Sequence, residues 1–201
     1  MIMKKIIMLV IFVLSAVFAA QAQQTEFKTV ISDEFHFIAF FPNRPIYAEG
    51  DINTRFGKGY SRRWTLELPD ISYEVSVDDF SALSVKMNTK SLNSFYDGVC
   101  NDLGNQYGAK FGYYTSVVFN EYGRIADGGT KEMSVNVGMY LVRQRLYQVK
   151  IVMRNSLEKD RQTLADVDKF LNEFLFVQKK ADENKYTYGL PQSVSQYLEG
   201  Q

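Results

Sequence analysis

The strongest constraint on the fold comes from residues 132–154, which carry two runs of alternating apolar and polar side chains. The runs are separated by the short polar stretch Arg143-Gln144-Arg145. A period of two is typical of β-strands, and two such runs around a polar stretch predict a β-hairpin. An isolated hairpin is only marginally stable in water, so other parts of the chain must cover its apolar rows. The apolar members of the two runs are Val135, Val137, Met139, Leu141, Tyr147, Val149, Ile151 and Met153.

The first 22 residues have the pattern of a secretory signal peptide. Lys4 and Lys5 form a basic start, residues 6–20 are apolar, and Ala20 and Ala22 provide the small residues of a cleavage site. The apolar run is shorter than the roughly 18–20 residues that span a bilayer, which argues against a membrane anchor. We therefore predict cleavage after Ala22, no stable membrane insertion afterwards, and a periplasmic or secreted location.

Cleavage would leave 179 of the 201 residues, enough for one domain with a substantial core. We predict a single domain over residues 23–178 and a polar C-terminal tail over residues 179–201. The mature chain would have 21 basic and 23 acidic side chains. This balance does not favour nucleic acid as a partner. Cys100 is the sole cysteine and falls on the apolar face of a predicted helix, where we expect a small buried hydrophobe.

Three further regions are predicted to form strands. Residues 25–45 read as one or two strands, residues 60–79 as a second hairpin around Pro69-Asp70, and residues 111–122 as another strand. In the second hairpin, Ile71, Tyr73, Val75 and Val77 alternate with polar residues, and this polar face is expected to point to water or to a partner. The polar residues are Ser72, Glu74, Ser76 and Asp78.

Glycine positions and helical periodicity predict the remaining turns, loops and helices. Residues 57–59 are predicted as a turn and residues 123–130 as a loop, because glycine favours both. One helix is predicted from Ser91 to Tyr107, ended by Gly108, and a second from Ser156 to about Phe174. Strands in hairpins with separate helices indicate an α+β fold, with a mostly antiparallel sheet flanked by helices.

Four segments resemble the PsbP/Mog1-like superfamily of α/β/α sandwich domains. Residues 37–45 (FIAFFPNRP) are similar to its opening strand and Phe-Pro-x-x-Pro turn, and residues 73–79 (YEVSVDD) to its central Tyr-x-Val strand. Residues 140–152 (YLVRQRLYQVKIV) resemble its late hairpin, and residues 170–174 (FLNEF) its closing helix. The resemblance implies a domain used for binding or assembly, without a common active site, and it supplies no catalytic residues to transfer.

The chemistry-bearing residues are sparse. His36 is the sole histidine, which argues against a multi-histidine zinc site or a Ser-His-Asp triad, and we expect it to be structural within a strand. We predict no metal site, cofactor or catalytic residues. Carboxylates leave a hydrolase of envelope or extracellular polymer as an alternative, although turns or a solvated surface explain them more simply. These carboxylates are Asp33, Glu34, Asp78, Asp79 and Asp127.

Tyrosine is abundant, with 13 residues against a single tryptophan. Tyrosine combines a large contact area with a polar tip, which suits binding surfaces. We predict a non-enzymatic domain that binds a protein partner or supports an envelope assembly, with Tyr140, Arg143 and Arg145 at the hairpin tip as the candidate surface. The alternatives are the hydrolase and a carrier of an apolar small ligand. Other tyrosines expected near the central hairpin are Tyr113, Tyr114 and Tyr122.

Overall fold

The computed structural model describes residues 26–80, 89–118, 121–157, 160–179, 186–189 and 192–193. The predicted signal peptide lies outside these residues. The strands, in chain order, are β1 Lys28–Ser32, β2 Phe37–Phe41, β3 Ile46–Thr54, β4 Gly57–Leu68, β5 Ile71–Asp79, β6 Lys110–Val118, β7 Glu121–Gly129, β8 Met133–Val142, β9 Arg145–Arg154, β10 Leu175–Lys179, β11 Tyr186–Gly189 and β12 Gln192–Ser193. The helices are α1 Thr89–Tyr107 and α2 Arg161–Asn172.

The strands form two antiparallel sheets. The larger has eight strands in the order β12-β6-β7-β8-β9-β5-β4-β3, and the smaller has four in the order β1-β2-β10-β11. At the centre of the larger sheet, β8 and β9 form the hairpin predicted from the alternating pattern, with Tyr140 opposite Tyr147. Arg143 and Gln144 form its turn, with positive φ angles of 49° and 65°. Two such residues in succession are typical of a type I′ turn, whose twist matches that of the flanking strands.

One face of the large sheet, here called the small-sheet face, is covered by the small sheet and α2. Tyr73, Val75 and Ile151 of the large sheet belong to one buried cluster with Phe37 of β2 and Phe170 of α2. Most of its aromatic rings meet edge to face, as between Tyr73 and Phe170, whose centroids are 5.2 Å apart. This arrangement suits the ring quadrupoles and fills the largest core of the protein.

The opposite face of the large sheet, here called the α1 face, is covered by α1. Val99, Cys100 and Leu103 of the helix pack with Val137 and Met139 of β8 in a second buried cluster. Successive residues of a strand point to opposite faces, so neighbouring residues of β8 belong to different cores. Helices against antiparallel sheets confirm the α+β class, and Cys100 is buried as predicted.

Residues 123–129 are strand rather than the predicted loop. They belong to β7, which pairs with β6 and β8. Gly123 explains the error, because here the lack of a side chain serves close packing rather than a turn. A Cβ atom at Gly123 would meet the ring of Tyr140 and would lie 2.8 Å from the carbonyl oxygen of Met139.

Two other local predictions are corrected near the N-terminus. Gly57-Lys58-Gly59 opens β4, and the turn consists of Arg55 and Phe56 before it. His36 is exposed at the end of the turn between β1 and β2, with a φ of 53°, and does not lie in a strand. Its carbonyl oxygen accepts a hydrogen bond from the Val177 N–H at 2.7 Å, which connects β10 to this turn.

The helix ends follow capping chemistry. Helix α1 begins two residues before the predicted Ser91 and ends at Tyr107, as predicted, followed by Gly108 with a φ of +63°. The Ala109 N–H donates to the Gly104 carbonyl oxygen at 3.0 Å, which is the Schellman pattern. Helix α2 begins at Arg161 rather than at Ser156, because Asp160 is its N-cap and accepts from the Thr163 N–H at 2.9 Å.

Residues 175–193 supply strands to both sheets. β10 pairs with β2, where Phe176 is opposite Phe37, and also with β11. β12 pairs with β6 at the far edge of the large sheet, where Gln192 is opposite Val117. Described parts of the predicted C-terminal tail are therefore β-strands.

Candidate functional site

The hairpin-tip surface predicted from the sequence does not exist in that form, because Tyr140 is buried. Tyr140 is 3% exposed, and its ring lies on the small-sheet face against Phe176, with centroids 5.5 Å apart. Burial raises the pKa of its phenol well above the ordinary value. The signal that misled the prediction was the polar tip of tyrosine; here the ring lies over Gly123 and the hydroxyl lies beside Gly138.

The two arginines of the predicted surface have different environments. Arg143 is exposed in the turn. Arg145 is partly buried, with its Nε 3.0 Å from a carboxylate oxygen of Asp79 and its guanidinium above the Phe35 ring. Arg145 Nη1 also donates to the Glu34 carbonyl oxygen at 3.3 Å. Arg145 therefore joins the β1–β2 turn to the large sheet, and the predicted surface reduces to Arg143.

Three other tyrosines are exposed together on β6 and β7. Tyr113, Tyr114 and Tyr122 are 54%, 49% and 54% exposed, respectively. Tyr113 and Tyr122 lie on the α1 face, and Tyr114 lies on the opposite face by strand alternation. We call these three residues the tyrosine surface. They occupy adjacent strands near one end of the large sheet, where β12 is the outermost described strand.

A buried arginine, Arg124, contacts one residue of the tyrosine surface. The Arg124 guanidinium is stacked on the Tyr113 ring, 3.7 Å from its centroid, and its Nη1 is 2.6 Å from a carboxylate oxygen of Asp97 in α1. Burial acts to lower the pKa of Arg124, but hydrogen bonds to Asp97 and Cys100 outweigh it and raise the pKa. Arg124 therefore remains charged and packs against the Tyr113 ring.

The hydroxyl of Tyr96 fixes the same corner of the sheet. It donates to the Tyr122 carbonyl oxygen at 2.7 Å and accepts from the Leu141 N–H at 2.8 Å. Because Gly123 pairs with Tyr140, Tyr122 and Leu141 are the next residues facing each other across β7 and β8. The hydroxyl thus bridges the two strands where their ladder ends and connects α1 to the backbone of the tyrosine surface.

The sequence analysis missed a second feature, a buried polar row on the α1 face of β4, β5 and β9. Ser76 and Asp78 were expected to face water or a partner, yet they are only 1% and 6% exposed. Gln148 Nε2 lies 3.3 Å from Asp78 Oδ2 and 3.5 Å from the Ser76 hydroxyl oxygen. Ser61, also buried, is directly opposite Asp78 in the β4–β5 ladder. Alternation shows which residues share a face but not whether that face is covered.

Asp78 is the ionisable member of this row, and its burial is energetically costly. Burial raises the pKa of its carboxyl group, while hydrogen bonds from Ser61 and Gln148 and the charge of Arg63 act in the opposite direction. Its Oδ1 atom has no hydrogen-bond partner among the residues that the structure describes. A buried carboxylate in this position is costly, and protonation relieves the cost.

We predict that Asp78→Asn makes the protein more stable at about pH 7 than the native protein. The folded-state pKa of Asp78 is raised, so the native protein loses stability as the pH rises from below the ordinary carboxyl pKa through the raised value, and asparagine removes this loss. Urea unfolding at about pH 4 and about pH 7 would measure it, with exposed Asp51→Asn as the control. An advantage of the Asp78 variant that does not grow between the two pH values would contradict the assignment.

The other acidic residues, the cysteine and the histidine considered in the sequence analysis do not lie together. Asp79 follows Asp78 in β5 and therefore points to the opposite face, where it pairs with Arg145. Asp33, Glu34 and Asp127 are exposed. Cys100 lies on the side of α1 that faces the sheet, and burial raises the pKa of its thiol despite the nearby Arg124. His36 is in the β1–β2 turn on the other side of the large sheet, so it does not form a dyad with this thiol.

Among the residues that the structure describes, no group of three or more histidine, cysteine or acidic side chains is placed to hold a metal ion. Neither described helix combines the length and the apolar character needed to cross a bilayer.

Comparison with known proteins gave one structural similarity. No protein-family model matches the chain, and no significant match was found among curated proteins. The solution structure of cyanobacterial PsbP (CyanoP) from Synechocystis sp. PCC 6803 is similar with a TM-score of 0.45 and 6% sequence identity. The match covers 74% of this chain and 92% of that chain. The similarity is to a PsbP protein, and membership of the wider superfamily stays a prediction.

Proposed function

We propose that the protein is exported and binds a protein partner through Tyr113, Tyr114 and Tyr122, without catalysing a reaction. The observation that carries the proposal is the exposure of about half of each of these side chains on two adjacent strands. Export rests on the leader pattern of residues 1–22. Cleavage there would place the folded domain in the periplasm or outside the cell.

The surroundings of the tyrosine surface suit binding. Tyrosine buries a large area on contact and loses little conformational freedom, since it has only two side-chain torsions. Tyr113 already packs against Arg124, and the backbone of Tyr122 is held by Tyr96. A preorganised surface loses less entropy when a partner binds, which improves affinity without additional contacts.

The arrangement of acids favours binding over the hydrolase alternative. A carboxylate-dependent hydrolase needs two carboxyl groups on opposite sides of the bond that is cleaved. Asp78, whose pKa is raised, lies next to Asp79 in sequence but on the opposite face of the sheet. Glu74 shares a face with Asp78, but its carboxylate is 3.0 Å from the Lys150 ammonium group.

The test is crosslinking of the tagged mature protein in its native envelope, followed by mass spectrometry. The variant replaces Tyr113, Tyr114 and Tyr122 with serine, and the matched control is Tyr47→Ser. Tyr47 is 48% exposed and lies on β3, at the opposite edge of the large sheet. We expect reproducible neighbours with the native protein and the control, and a loss of about tenfold or more with the triple variant, since one binding hot spot contributes that much.

Two outcomes would count against the proposal. One is the same set of neighbours, in equal yield, for the native protein and the triple variant. The other is the absence of any reproducible neighbour of the native protein. Circular dichroism of the triple variant must match that of the native protein, so that loss of fold is separated from loss of contact.

A further inference from the structure

The edge strand β3 is exposed and regular. It is the outermost described strand at its end of the large sheet. The side chains of residues 46–49 are all exposed, with Ile46 at 74% and Tyr47 at 48%. Its nine residues pair one to one with residues 57–65 of β4, without a bulge. Folded proteins usually block such an edge with lysine, proline or a bulge, and β3 contains none of these. The edge is therefore suited to the addition of another strand.

A second copy of the chain fits this edge poorly. Two β3 strands related by a two-fold axis would run antiparallel, with residues of the same face opposite each other. With Gly50 on the axis, Glu49 of each copy would lie opposite Asp51 of the other. With Glu49 or Asp51 on the axis, that residue would lie opposite its own counterpart. Every register that pairs seven or more of the nine β3 residues therefore brings two carboxylates together, which is destabilising.

One face of β3 favours basic side chains on an added strand. This face carries Glu49 and Asp51. The Glu49 carboxylate is 3.4 Å from the Arg62 Nε atom of β4. Asp51 has the neutral Tyr60 directly across the β3–β4 ladder, and Lys58 lies only diagonally. Lysine or arginine at alternate positions of an added strand would therefore form favourable cross-strand pairs with these acids, most of all with Asp51.

The other face of β3 favours apolar side chains on the same added strand. Its residues are small or apolar, namely Ile46, Ala48, Gly50 and Ile52. Ile52 packs against the cluster between α1 and the sheet. A Cβ atom at Gly50 would meet nothing within 4 Å, so the space above this glycine is open. An added strand with apolar side chains on this face would extend it without a steric clash at Gly50.

From these features we propose that β3 binds an extended segment of a protein partner, in which basic and apolar residues alternate, as an added strand of the large sheet. Backbone hydrogen bonds supply the affinity, and Glu49 and Asp51 select the sequence. The site lies at the opposite end of the large sheet from the tyrosine surface and does not depend on the proposed binding function. A partner held at β3 would still be a neighbour of the triple tyrosine variant, so the two proposals can fail separately.

Labelled synthetic peptides test the proposal on the mature protein by fluorescence anisotropy. The first probe has about nine residues, the length of β3, with lysine and valine alternating, and the second has glutamate in place of lysine. We expect the native protein to bind the lysine probe about fivefold or more tightly than the glutamate probe, and Asp51→Lys to lose this preference. Asp33→Lys, the same change at an exposed position of the β1–β2 turn, is expected to keep it.

Hydrogen exchange locates the bound probe. With saturating lysine probe, the β3 amides that point to the outer edge are expected to exchange about tenfold or more slowly, and the amides of β8, at the centre of the sheet, serve as the control. Binding of neither probe, equal binding of both, or an unchanged preference in Asp51→Lys would overturn the proposal. So would unchanged exchange in β3, or a native dimer that excludes the probe, because a second copy would then cover the edge.

Discussion

Replacement of Phe170 by alanine is expected to lower the free energy of unfolding by roughly 3–5 kcal/mol. Phe170 has no exposed surface and is the one fully buried residue of α2. Its ring meets those of Phe41 and Tyr73, with centroids 5.0 Å and 5.2 Å away, so it joins the small sheet to the large one. Truncation leaves a cavity between elements that cannot collapse independently.

Urea unfolding of the Phe170→Ala variant would measure this loss, with Leu164→Ala as the control on the same helix. Leu164 is 40% exposed, and its truncation is expected to cost about 1 kcal/mol or less. If the alanine variant does not fold, Phe170→Leu provides a smaller change at the same position. Similar losses for Phe170→Ala and Leu164→Ala would show that α2 does not connect the sheets in this way.

Removal of the Tyr96 hydroxyl, in Tyr96→Phe, is expected to lower the free energy of unfolding by about 1–3 kcal/mol. The hydroxyl satisfies both the Tyr122 carbonyl and the Leu141 N–H. Phenylalanine has nearly the same shape, so the ring keeps its place between α1 and the sheet while two backbone groups lose their partner. The cost comes from leaving these groups unpaired in a covered corner of the sheet.

Two measurements check the effect of Tyr96→Phe. Urea unfolding gives the stability change, and hydrogen exchange of the Leu141 amide is expected to become faster. Tyr113→Phe is the control, because the Tyr113 side chain is about half exposed, and it should change stability by about 0.5 kcal/mol or less. Unaltered exchange at Leu141 would mean that the strands close directly and do not need the hydroxyl.

The elements that were predicted correctly from the sequence are those in which buried residues recur at the period of a strand or a helix. β8, β9 and β5 carry long period-two runs, and α1 carries a helical stripe ended by Gly108, so local periodicity was enough. β7 was missed because its glycines are required by close contacts with Tyr140 and Met133, which lie on another strand. No local rule separates such a glycine from a turn glycine.

The sequence predicted the type of residue in the candidate site, but not which residues form it. Tyrosines were expected to form a binding surface, but which ones are exposed depends on what covers each face of the sheet. Tyr140 faces Phe176 of β10, a strand that the sequence analysis had not identified, and is therefore buried. Tyr113, Tyr114 and Tyr122 lie at the end of the sheet where cover is incomplete. The burial of Asp78 was missed for the same reason: whether a sheet face is covered depends on the tertiary packing of other elements, which a local pattern does not show.

The division of the protein into two cores on opposite faces of one sheet makes mispairing of its central strands severely unfavourable. A slip of β9 by one position would turn Tyr147 and Val149 toward α1 and would carry Lys150 into the phenylalanine cluster on the other side. In the native pairing the Lys150 ammonium group is 3.0 Å from the Glu74 carboxylate. After the slip it would lose this ion pair and enter an apolar interior. A misaligned strand would therefore place residues unfavourably in both cores at once. The resulting difference in free energy gives the folding chain a strong preference for a single arrangement.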